Sequence, residues 1–363
     1  MGLFNEIDRS RRIIMQRITK NIGRSHTNKT ADLQYPVKRI LISRPNQRLG
    51  NLLLLTPLLQ ELYEIFPDAK ADLFVRGNLA PILFKNHPNI GTIIKLPGKP
   101  FKQLPQYIWS WALLRRHSYD IVINAEQGSS SGRLSSQFAR AKMKFFGDVA
   151  EDIKQQCADF KHMAKYPVYM LRTYLAGSGL VKSYGEAPPL DLMLSPEETT
   201  NGKKLLYDIV KNNKKTICLF TYATGKKCYP ESWWIPLYEH LLKKYPDCNI
   251  IEVLPAENVS QIGFKAPSFY SRDIRSIGAL IANTDVFIGA DSGIMHLASA
   301  VHTPTIGLFK KTDPNKYGPY ANNSIAIDTT ITTTDDIVAV LNAILREEET
   351  TLMLYREQLK QCM

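Results

Sequence analysis

Short apolar runs alternate with longer amphipathic stretches along the chain from Lys38 onward. In the first half these runs are KRILIS from 38, ADLFV at 71–75, TIIKL at 92–96, DIVINA at 120–125 and MKFFG at 143–147. Runs of this length and composition are typical of buried strands, and the stretches between them have helical spacing. Strands that alternate with helices predict right-handed βαβ units around a parallel sheet.

The alternation stops between residues 177 and 198 and then begins again. A predicted helix at 162–176 is followed by GSGL at 177–180 and EAPPLDLMLSPEE at 186–198, whose Gly, Pro and turn residues indicate a linker. Further strands are predicted at 216–220, 249–253, 285–289 and 303–309. Two consecutive doubly wound α/β domains suit a chain of 363 residues. The predicted limits are an N-terminal extension at 1–35, a first domain at 36–180, a linker at 181–198, a second domain at 199–346 and a C-terminal helix at 347–363.

Composition excludes several classes of protein. Hydrophobic residues make up 44% and charged residues 22%, as in a globular protein, and no apolar stretch approaches the roughly 18 residues of a membrane span. Five cysteines without a C-x-x-C pair argue against a disulfide framework and against a zinc site. The N-terminus does not have the pattern of a secretory signal. These features predict a protein of the reducing cytoplasm.

Positive charge is concentrated in the N-terminal extension. The chain has a formal charge of +12, and residues 1–30 hold seven lysines and arginines against two carboxylates. Leu3, Phe4, Ile7, Ile14 and Ile18 recur there at helical spacing. The extension is therefore predicted either to lie as a basic amphipathic helix on an anionic membrane surface or to be a solvated leader. Nucleic-acid binding is not expected, because the extension contains no recognisable binding module.

The stretch GADSGIMHLASAVHTPTIGLF at 289–309 is the most informative for chemistry. A buried strand leads into Asp291 and Ser292, which are good helix N-cap residues, and Gly293 permits close approach of a ligand. The free N–H groups and the positive dipole end of a helix start attract phosphate. Taken alone, however, such a turn is more often structural, and His296 fits a core histidine equally well.

A second strand-to-helix junction lies in RLGNLLLLTPLLQ at 48–60. Gly50 and Asn51 follow a predicted strand, at the position where open α/β folds hold ligands. Gly50 permits a tight turn, and Asn51 presents a polar side chain from the helix start. Pro57 predicts a kink or an early turn within the helix.

The two junctions together resemble the family 9 glycosyltransferases, the ADP-heptose:lipopolysaccharide heptosyltransferases. The second domain of that family has an Asp-[Ser/Thr]-Gly-x-x-His-Leu-x-x-Ala motif, a Pro-containing strand and a Thr-x-Pro loop. This chain matches it with Asp291-Ser292-Gly293, His296-Leu297, Ala300, Pro304, Thr312-Asp313-Pro314 and Gly318-Pro319. The family's Lys-x-Trp-Pro element is met by Lys227-Cys228-Tyr229-Pro230, and its Leu-Gly-Asp-x-x-x-x-Thr-Pro element by Leu49-Gly50-Asn51 and Thr56-Pro57. The resemblance runs from about Lys38 to about Arg346.

The resemblance implies a GT-B fold, in which two Rossmann-like doubly wound domains face each other across a cleft. The first domain would bind the acceptor and the second the nucleotide sugar. The implied reaction is an inverting, metal-independent transfer without a cofactor, with ADP-heptose as the expected donor. The implied acceptor is lipid-linked or a lipopolysaccharide core, reached at the inner face of the cytoplasmic membrane.

The resemblance also assigns roles to individual residues. Lys227 is expected to stabilise the leaving diphosphate as a point charge, and Asp291 to hydrogen-bond the donor sugar. The other residues expected to bind substrate are Glu257 near the ribose, Thr221 and Thr224 near phosphate, and Gly50, Ser292, Gly293 and His296.

Asn51 departs from the family, which has an aspartate there as the base for the acceptor hydroxyl. An amide cannot accept that proton at neutral pH. Asn51 could position the acceptor while Glu126, at the end of the DIVINA strand, acts as the base. Alternatively the leaving phosphate takes the proton, or the protein binds ligands without turning them over.

Three rival interpretations remain open at this point. The chain could be a transferase of the same family that uses another nucleotide sugar, a non-catalytic sugar-nucleotide or glycan-binding homologue, or a sugar-nucleotide epimerase on a similar two-domain fold. The fold does not decide among them. The positive net charge favours the approach of an anionic acceptor without identifying it.

Overall fold

The computed structural model describes residues 17–19, 21–22, 36–98, 102–148, 155–176, 180, 185–348, 352 and 355. The chain divides into two compact units, Met1–Gln47 with Leu55–Pro188 and Arg48–Leu54 with Pro189–Met363. Each unit contains one sheet whose paired strands all run parallel. The predicted α/β class with two doubly wound domains is therefore confirmed.

The strands of the described part are β1 (Arg39–Arg44), β2 (Lys70–Arg76), β3 (Ile90–Leu96), β4 (Ser118–Asn124), β5 (Arg140–Phe145), β6 (Thr216–Phe220), β7 (Asn249–Val253), β8 (Ser268–Phe269), β9 (Val286–Ala290), β10 (Thr305–Phe309) and β11 (Ile325–Asp328). Every predicted run forms a strand. β8 and β11 were not predicted from the apolar pattern, because two and four residues are too short to show it.

The helices, numbered in chain order, are α1 (Leu49–Leu53), α2 (Thr56–Ile65), α3 (Ala80–Leu83), α4 (Leu104–Leu113), α5 (Ser130–Phe138), α6 (Tyr166–Leu175), α7 (Pro196–Val210), α8 (Glu231–Lys244), α9 (Ile274–Ile281), α10 (Gly293–Ala300), α11 (Pro314–Tyr317) and α12 (Thr334–Leu345). α6 lies within the helix predicted at 162–176, and α4 lies in one of the stretches of helical spacing between the predicted strands. α6 begins four residues late because its Pro167 is suited to a first helical turn.

The first sheet has the strand order β3-β2-β1-β4-β5. β1 lies at its centre, where Ile42 pairs with Leu73 on one side and with Ile123 on the other. All three side chains are fully buried, as expected for a central parallel strand with both faces covered. Helices α2 and α6 are tied together by a buried ion pair, in which Arg172 Nε donates to Glu61 Oε1 over 2.7 Å.

The second sheet has the order β11-β10-β9-β6-β7-β8. β6, β9 and β10 are buried along their whole length. The chain leaves β6 toward β7 and β8, and then returns to β9 and continues toward β10 and β11. The strand order therefore reverses between β6 and β9, and such a switch point forms a crevice at the carboxyl ends of the strands.

Helix α1 is carried on the chain that leaves β1, yet its contacts place it in the second unit. It ends at Leu53, and α2 begins at Thr56 with Pro57 in its first turn. Pro57 thus separates two helices, in agreement with the early turn that the sequence predicts.

The unit boundary at Pro188–Pro189 falls inside the predicted linker. The last residues of that linker are helical, because α7 begins at Pro196 behind a capping box. In that box the Ser195 side chain accepts from Glu198 N, and the Glu198 side chain accepts from Ser195 N.

The predicted amphipathic helix at 1–35 and the predicted C-terminal helix at 347–363 lie almost entirely outside the described residues. Their predictions therefore stay predictions. Across the part of the chain that is described, no helix is both long and apolar enough to cross a membrane.

Candidate functional site

Three loops of the second unit leave neighbouring strands at the same sheet edge. Lys227 follows β6 in a 3₁₀ turn at Gly225–Lys227, Asp291 follows β9 directly, and Thr312 lies in the loop after β10. Because parallel strands end at one edge, these loops meet above the β6/β9 switch point.

Asp291 and Ser292 have different roles at the start of α10. Ser292 is the N-cap, and its side chain accepts a hydrogen bond from Met295 N over 3.2 Å. Asp291 is thereby free of the capping role. Its peptide N–H donates to Leu308 O, which fixes it beside β10. The sequence allowed either residue to cap the helix, and the structure assigns the cap to Ser292.

The Asp291 carboxylate pairs with a cation across the switch point. Lys227 Nζ lies 2.7 Å from Asp291 Oδ2, and the Thr312 hydroxyl donates to the same oxygen. The Lys227 side chain is 33% exposed, whereas that of Asp291 is 6% exposed. The ammonium group therefore remains accessible from solvent while its partner is held in place, an arrangement that suits an incoming anion.

Lys310 adds a second cation to this edge. Its Nζ donates to Cys228 O over 2.7 Å and lies 4.4 Å from the centre of the Tyr229 ring. These contacts link the loop after β10 to the chain segment that follows Lys227. Together with the dipole of α10, the two lysines make this edge suitable for phosphate.

His296 is buried on the first turns of α10, with 4% of its surface exposed. Burial lowers the pKa of His296 to about 4, an effect that Lys227 reinforces and Asp291 opposes. The imidazole is therefore neutral at physiological pH. Its Nδ1 has no hydrogen-bond partner among the described residues. Burial fits the core-histidine interpretation, although in a core histidine both ring nitrogens normally have partners.

Helices α1 and α10 pack through two glycines. A Cβ on Gly50 would lie 2.5 Å from His296 Cδ2, and a Cβ on Gly293 would lie 2.9 Å from Leu49 Cβ. Both distances are too short for a side chain. The glycines therefore let α1 approach the start of α10, and Asn51, the next residue on α1, is carried to the same unit as the Lys227–Asp291 pair.

Thr221 faces the interior rather than the loop surface. It is 1% exposed, its hydroxyl donates to Glu252 Oε1 over 2.5 Å, and it accepts from Gln261 N. The Thr221 hydroxyl therefore already donates its hydrogen bond to Glu252. This favours a role in fixing the loop rather than a contact with phosphate. Thr224 and Glu257 are exposed on the loops after β6 and β7.

The Glu252 side chain forms hydrogen bonds with the loop after β6 and with the loop after β7. Its Oε2 accepts from Ser260 Oγ over 2.7 Å, while its Oε1 accepts from Thr221. The side chain is fully buried, and burial raises the pKa of its carboxyl above the usual range, although the two hydroxyls oppose the shift. Glu252 therefore fixes the loop after β6 against the loop after β7.

Glu126 belongs to the first unit, in the turn after β4. Its Oε2 lies 3.5 Å from Nη1 of the buried Arg44, and its side chain is 33% exposed. Asn124 Nδ2 donates to Glu126 O over 2.9 Å and so holds the turn. An accessible carboxylate on a fixed turn is what a base requires, and its role stays a prediction.

Three residues of this site were missed as site residues by the sequence argument. Thr312 is part of the Thr-x-Pro loop, Lys310 follows a fully buried strand, and Glu252 is a carboxylate inside an apolar strand. The last feature was visible in the sequence, because a buried strand rarely carries an acid without a partner. Within the described ranges, no group of three or more His, Cys, Asp or Glu residues is placed to hold a metal ion. The expected metal independence stays a prediction.

Residues 271–340 match the model of glycosyltransferase family 9 (heptosyltransferase). The chain is 24% identical over 306 residues to lipopolysaccharide heptosyltransferase 3 of Escherichia coli, a match that covers 76% of this chain and 85% of that protein. It is 25% identical over 303 residues to lipopolysaccharide heptosyltransferase 1 of Campylobacter coli, which covers 77% and 86% of the two chains.

Solved structures resemble most of the chain. A family 9 glycosyltransferase from Veillonella parvula DSM 2008 matches with a TM-score of 0.67 at 16% identity, over 88% of this chain and 99% of that chain. E. coli heptosyltransferase WaaC with ADP matches with a TM-score of 0.61 at 17% identity, over 84% and 99%. At this level of identity the likeness shows the fold, and it confirms the predicted GT-B class.

Proposed function

We propose that this chain, which is similar to the heptosyltransferases of glycosyltransferase family 9, transfers a sugar from a nucleoside diphosphate to an acceptor hydroxyl in lipopolysaccharide biosynthesis. The observation that carries this proposal is the Lys227–Asp291 pair at the start of α10, 2.7 Å apart across the switch point of the second sheet. It combines an accessible cation, a fixed carboxylate and a helix N-terminus within one site.

The leaving group determines what these residues do. As the bond to the anomeric carbon breaks, negative charge builds on the diphosphate, and preorganised donors lower the barrier where that charge develops. Lys227 supplies a mobile ammonium group, and the N–H groups of the first turn of α10 supply fixed dipoles. Asp291 holds Lys227 until the donor arrives and then accepts a hydroxyl of the sugar. His296 is neutral at physiological pH, so it adds no competing positive charge to the site.

The acceptor hydroxyl must lose a proton during transfer. We assign this proton to Glu126, with Asn51 as a hydrogen-bonding residue that orients the acceptor. An amide can donate and accept hydrogen bonds but cannot take up the proton. Transfer to the leaving phosphate is the alternative route, and it requires no protein base.

The proposed donor is ADP-heptose, and the proposed reaction is inverting and independent of metal. Support for the donor comes from the curated relatives, which are named heptosyltransferases, and from the ADP in the E. coli WaaC structure. A second candidate function is transfer from another nucleotide sugar at the same site. The departure from the family at Asn51 favours a third candidate function, in which the protein binds the sugar nucleotide without transferring the sugar.

We also propose that the protein works on the cytoplasmic face of the membrane, where a lipid-linked acceptor would be presented. The basic extension at 1–35 is the proposed contact with anionic lipid. This location is tested by sedimentation with vesicles, before and after removal of residues 1–30.

The reaction is tested by nucleoside diphosphate release from ADP-, GDP-, UDP- and dTDP-sugars, with and without a lipopolysaccharide-core acceptor. Acceptor-dependent release of ADP from ADP-heptose is the expected result. Release from a different donor would keep the transferase and discard the heptose. Donor binding without release from any sugar would replace the transferase by the binding homologue.

A further inference from the structure

Helix α4 of the first unit has apolar side chains on both its inner and its outer side, and Gln106 and Ser110 are its only polar residues. One face packs on the sheet, where Trp111 lies edge-to-face on Phe74 at a ring distance of 5.6 Å and Leu114, just past the helix, joins the same core. A surface helix normally buries one apolar face against the core, and this inner face of α4 fulfils that requirement.

The opposite face of α4 is apolar and exposed. Leu104, Ile108 and Trp109 are 53%, 59% and 62% exposed, and their spacing places them together on one side of the helix. We call these three residues the α4 patch. Pro105 and Ala112 on the same side are exposed as well. A contiguous apolar face of this kind is characteristic of a binding surface.

A cleft of about 660 Å³ opens at the end of α4, with Trp111 and Phe138 in its wall. Arg115, Arg140 and Lys144 also line it, without any carboxylate among the lining residues. We call these three the cationic cleft. Burial and the charge of Arg115 lower the pKa of Lys144, so positive charge is crowded there. Arg115 additionally lies over the Phe138 ring at 5.1 Å.

The sequence around both features carries charge of one sign only. Residues 102–117 contain three lysines and arginines, residues 130–147 contain four, and neither stretch contains an aspartate or glutamate. Two of these cations are paired, Lys142 with Asp120 at 2.9 Å and the buried Arg133 with Asp148, and Arg115, Arg140 and Lys144 have no ion pair among the described residues. The surroundings of the α4 patch therefore attract an anionic partner.

Charge decides which partner covers this face. The N-terminal extension is itself cationic, and a second copy of the chain would bring the same cations to a symmetric contact. Both would be repelled. A bilayer of anionic phospholipid offers hydrocarbon to the apolar side chains and phosphate to the cations. We infer that the α4 patch and the cationic cleft form a contact surface for an anionic phospholipid bilayer.

In this contact α4 lies in the plane of the membrane interface, and Leu104 and Ile108 enter the acyl boundary. Trp109 sits at the level of the headgroups, a position that tryptophan favours. The inference deepens the proposed membrane location and rests on it. Sugar transfer does not depend on it, because nucleoside diphosphate release can be measured with a soluble acceptor fragment.

The test is binding of the full chain to vesicles of phosphatidylglycerol and phosphatidylethanolamine, compared with phosphatidylcholine alone. We expect binding only to the anionic vesicles, reduced at least tenfold by Ile108→Ser with Trp109→Ser, and also reduced by Arg115→Gln with Lys144→Gln. The matched controls are Leu242→Ser, an apolar residue 46% exposed in the second unit, and Lys203→Gln with Lys204→Gln on α7. These should bind like the parent.

Tryptophan fluorescence locates the contact. Trp111, Trp233 and Trp234 are buried or half-buried, so a blue shift on vesicle binding should report Trp109 and vanish in Trp109→Phe while binding persists. Unchanged vesicle binding by the double serine variant would overturn the inference and leave the extension as the membrane contact. A dimer that this variant converts to monomer, without any effect on lipid binding, would also overturn it. Diphosphate release from a soluble acceptor should be the same in all these variants, so that loss of transfer and loss of membrane binding are separate results.

Discussion

The imidazole of His296 packs on the α-carbon of Gly50, so closely that a methyl group on Gly50 would lie 2.5 Å from His296 Cδ2. The two residues come from helices that are far apart in sequence, α1 and α10. The contact joins the two motifs that carry the resemblance to family 9. Gly50 lies inside α1 and is not among the glycines with positive φ, so it serves helix packing beside the site rather than the tight turn that the sequence predicts.

Gly50→Ala should destabilise the protein. Overpacking a buried site costs roughly 1–3 kcal/mol, which exceeds the gain of up to about 1 kcal/mol from alanine in a helix. Urea unfolding should show the loss. In a His296→Ala background the clash is gone, so the same substitution should become neutral or stabilising. The matched control is Gly128→Ala, where the added methyl meets nothing within 4 Å and the effect should be within about 0.5 kcal/mol. Equal costs of Gly50→Ala with and without His296 would contradict this account.

The sequence was sufficient for nine of the eleven described strands and for the motif-bearing junctions, because buried parallel strands such as TICLF and VFIGA are uninterrupted apolar runs. It did not reveal that α1 belongs with the second unit, since that depends on Gly50 meeting a histidine more than 200 residues away. Thr221 was expected at phosphate because a hydroxyl in a loop looks available. In the structure its hydroxyl donates to buried Glu252, a residue of the neighbouring strand β7 that the sequence alone does not bring next to Thr221.

Lys227→Met should reduce acceptor-dependent diphosphate release by about 10²–10³-fold, because it removes a donor aimed at developing charge. Lys227→Arg should retain more activity, since it keeps the charge. Lys226→Met, the neighbouring exposed lysine of the same 3₁₀ turn, is the control and should stay within about threefold of the parent. The thermal midpoint of each variant separates lost catalysis from lost folding. Equal losses for Lys226 and Lys227 would remove the specific role of Lys227.

Glu126→Gln should lower turnover by about 10²–10⁴-fold while donor affinity changes little, as expected for loss of a general base. Asn51→Asp introduces the carboxylate that the resemblance to family 9 implies at this position. In the Glu126→Gln background it should therefore recover part of the lost turnover. Steady-state kinetics together with calorimetric donor binding distinguish the two effects. Normal turnover in Glu126→Gln would leave the leaving phosphate as the proton acceptor.

Glu252→Gln should raise the donor KM more than it changes kcat, because Glu252 holds the loops of the donor site without contacting the donor. Glutamine has only one side-chain oxygen, so it cannot accept hydrogen bonds from both the Thr221 and the Ser260 hydroxyl through separate oxygens. The variant should therefore also have a lower free energy of unfolding near pH 5. The carboxyl has a raised pKa in the folded state, so its contribution to stability declines as pH rises through that value. The stability gap between variant and parent should therefore narrow from pH 5 to pH 8. A gap that stays constant with pH would show that Glu252 titrates normally.

His296 should make the protein sensitive to mild acid. Its pKa is lowered from 6.5 to about 4 in the folded state, so the unfolded chain binds a proton that the folded chain does not accept until about pH 4. The stability that this group contributes is complete above pH 6.5 and declines as pH falls toward 4, by up to about 3 kcal/mol. Urea unfolding between pH 7.5 and 4.5 should show a steeper decline of the unfolding free energy for the parent than for His296→Gln.

His302 is the internal control, because its hydrogen bond to Asp191 raises its pKa. Its contribution is present below pH 6.5 and is lost as pH rises, so His302→Gln should change the pH profile in the opposite direction. If the profiles of His296→Gln and the parent run parallel over this range, the buried imidazole is not the acid-sensitive group.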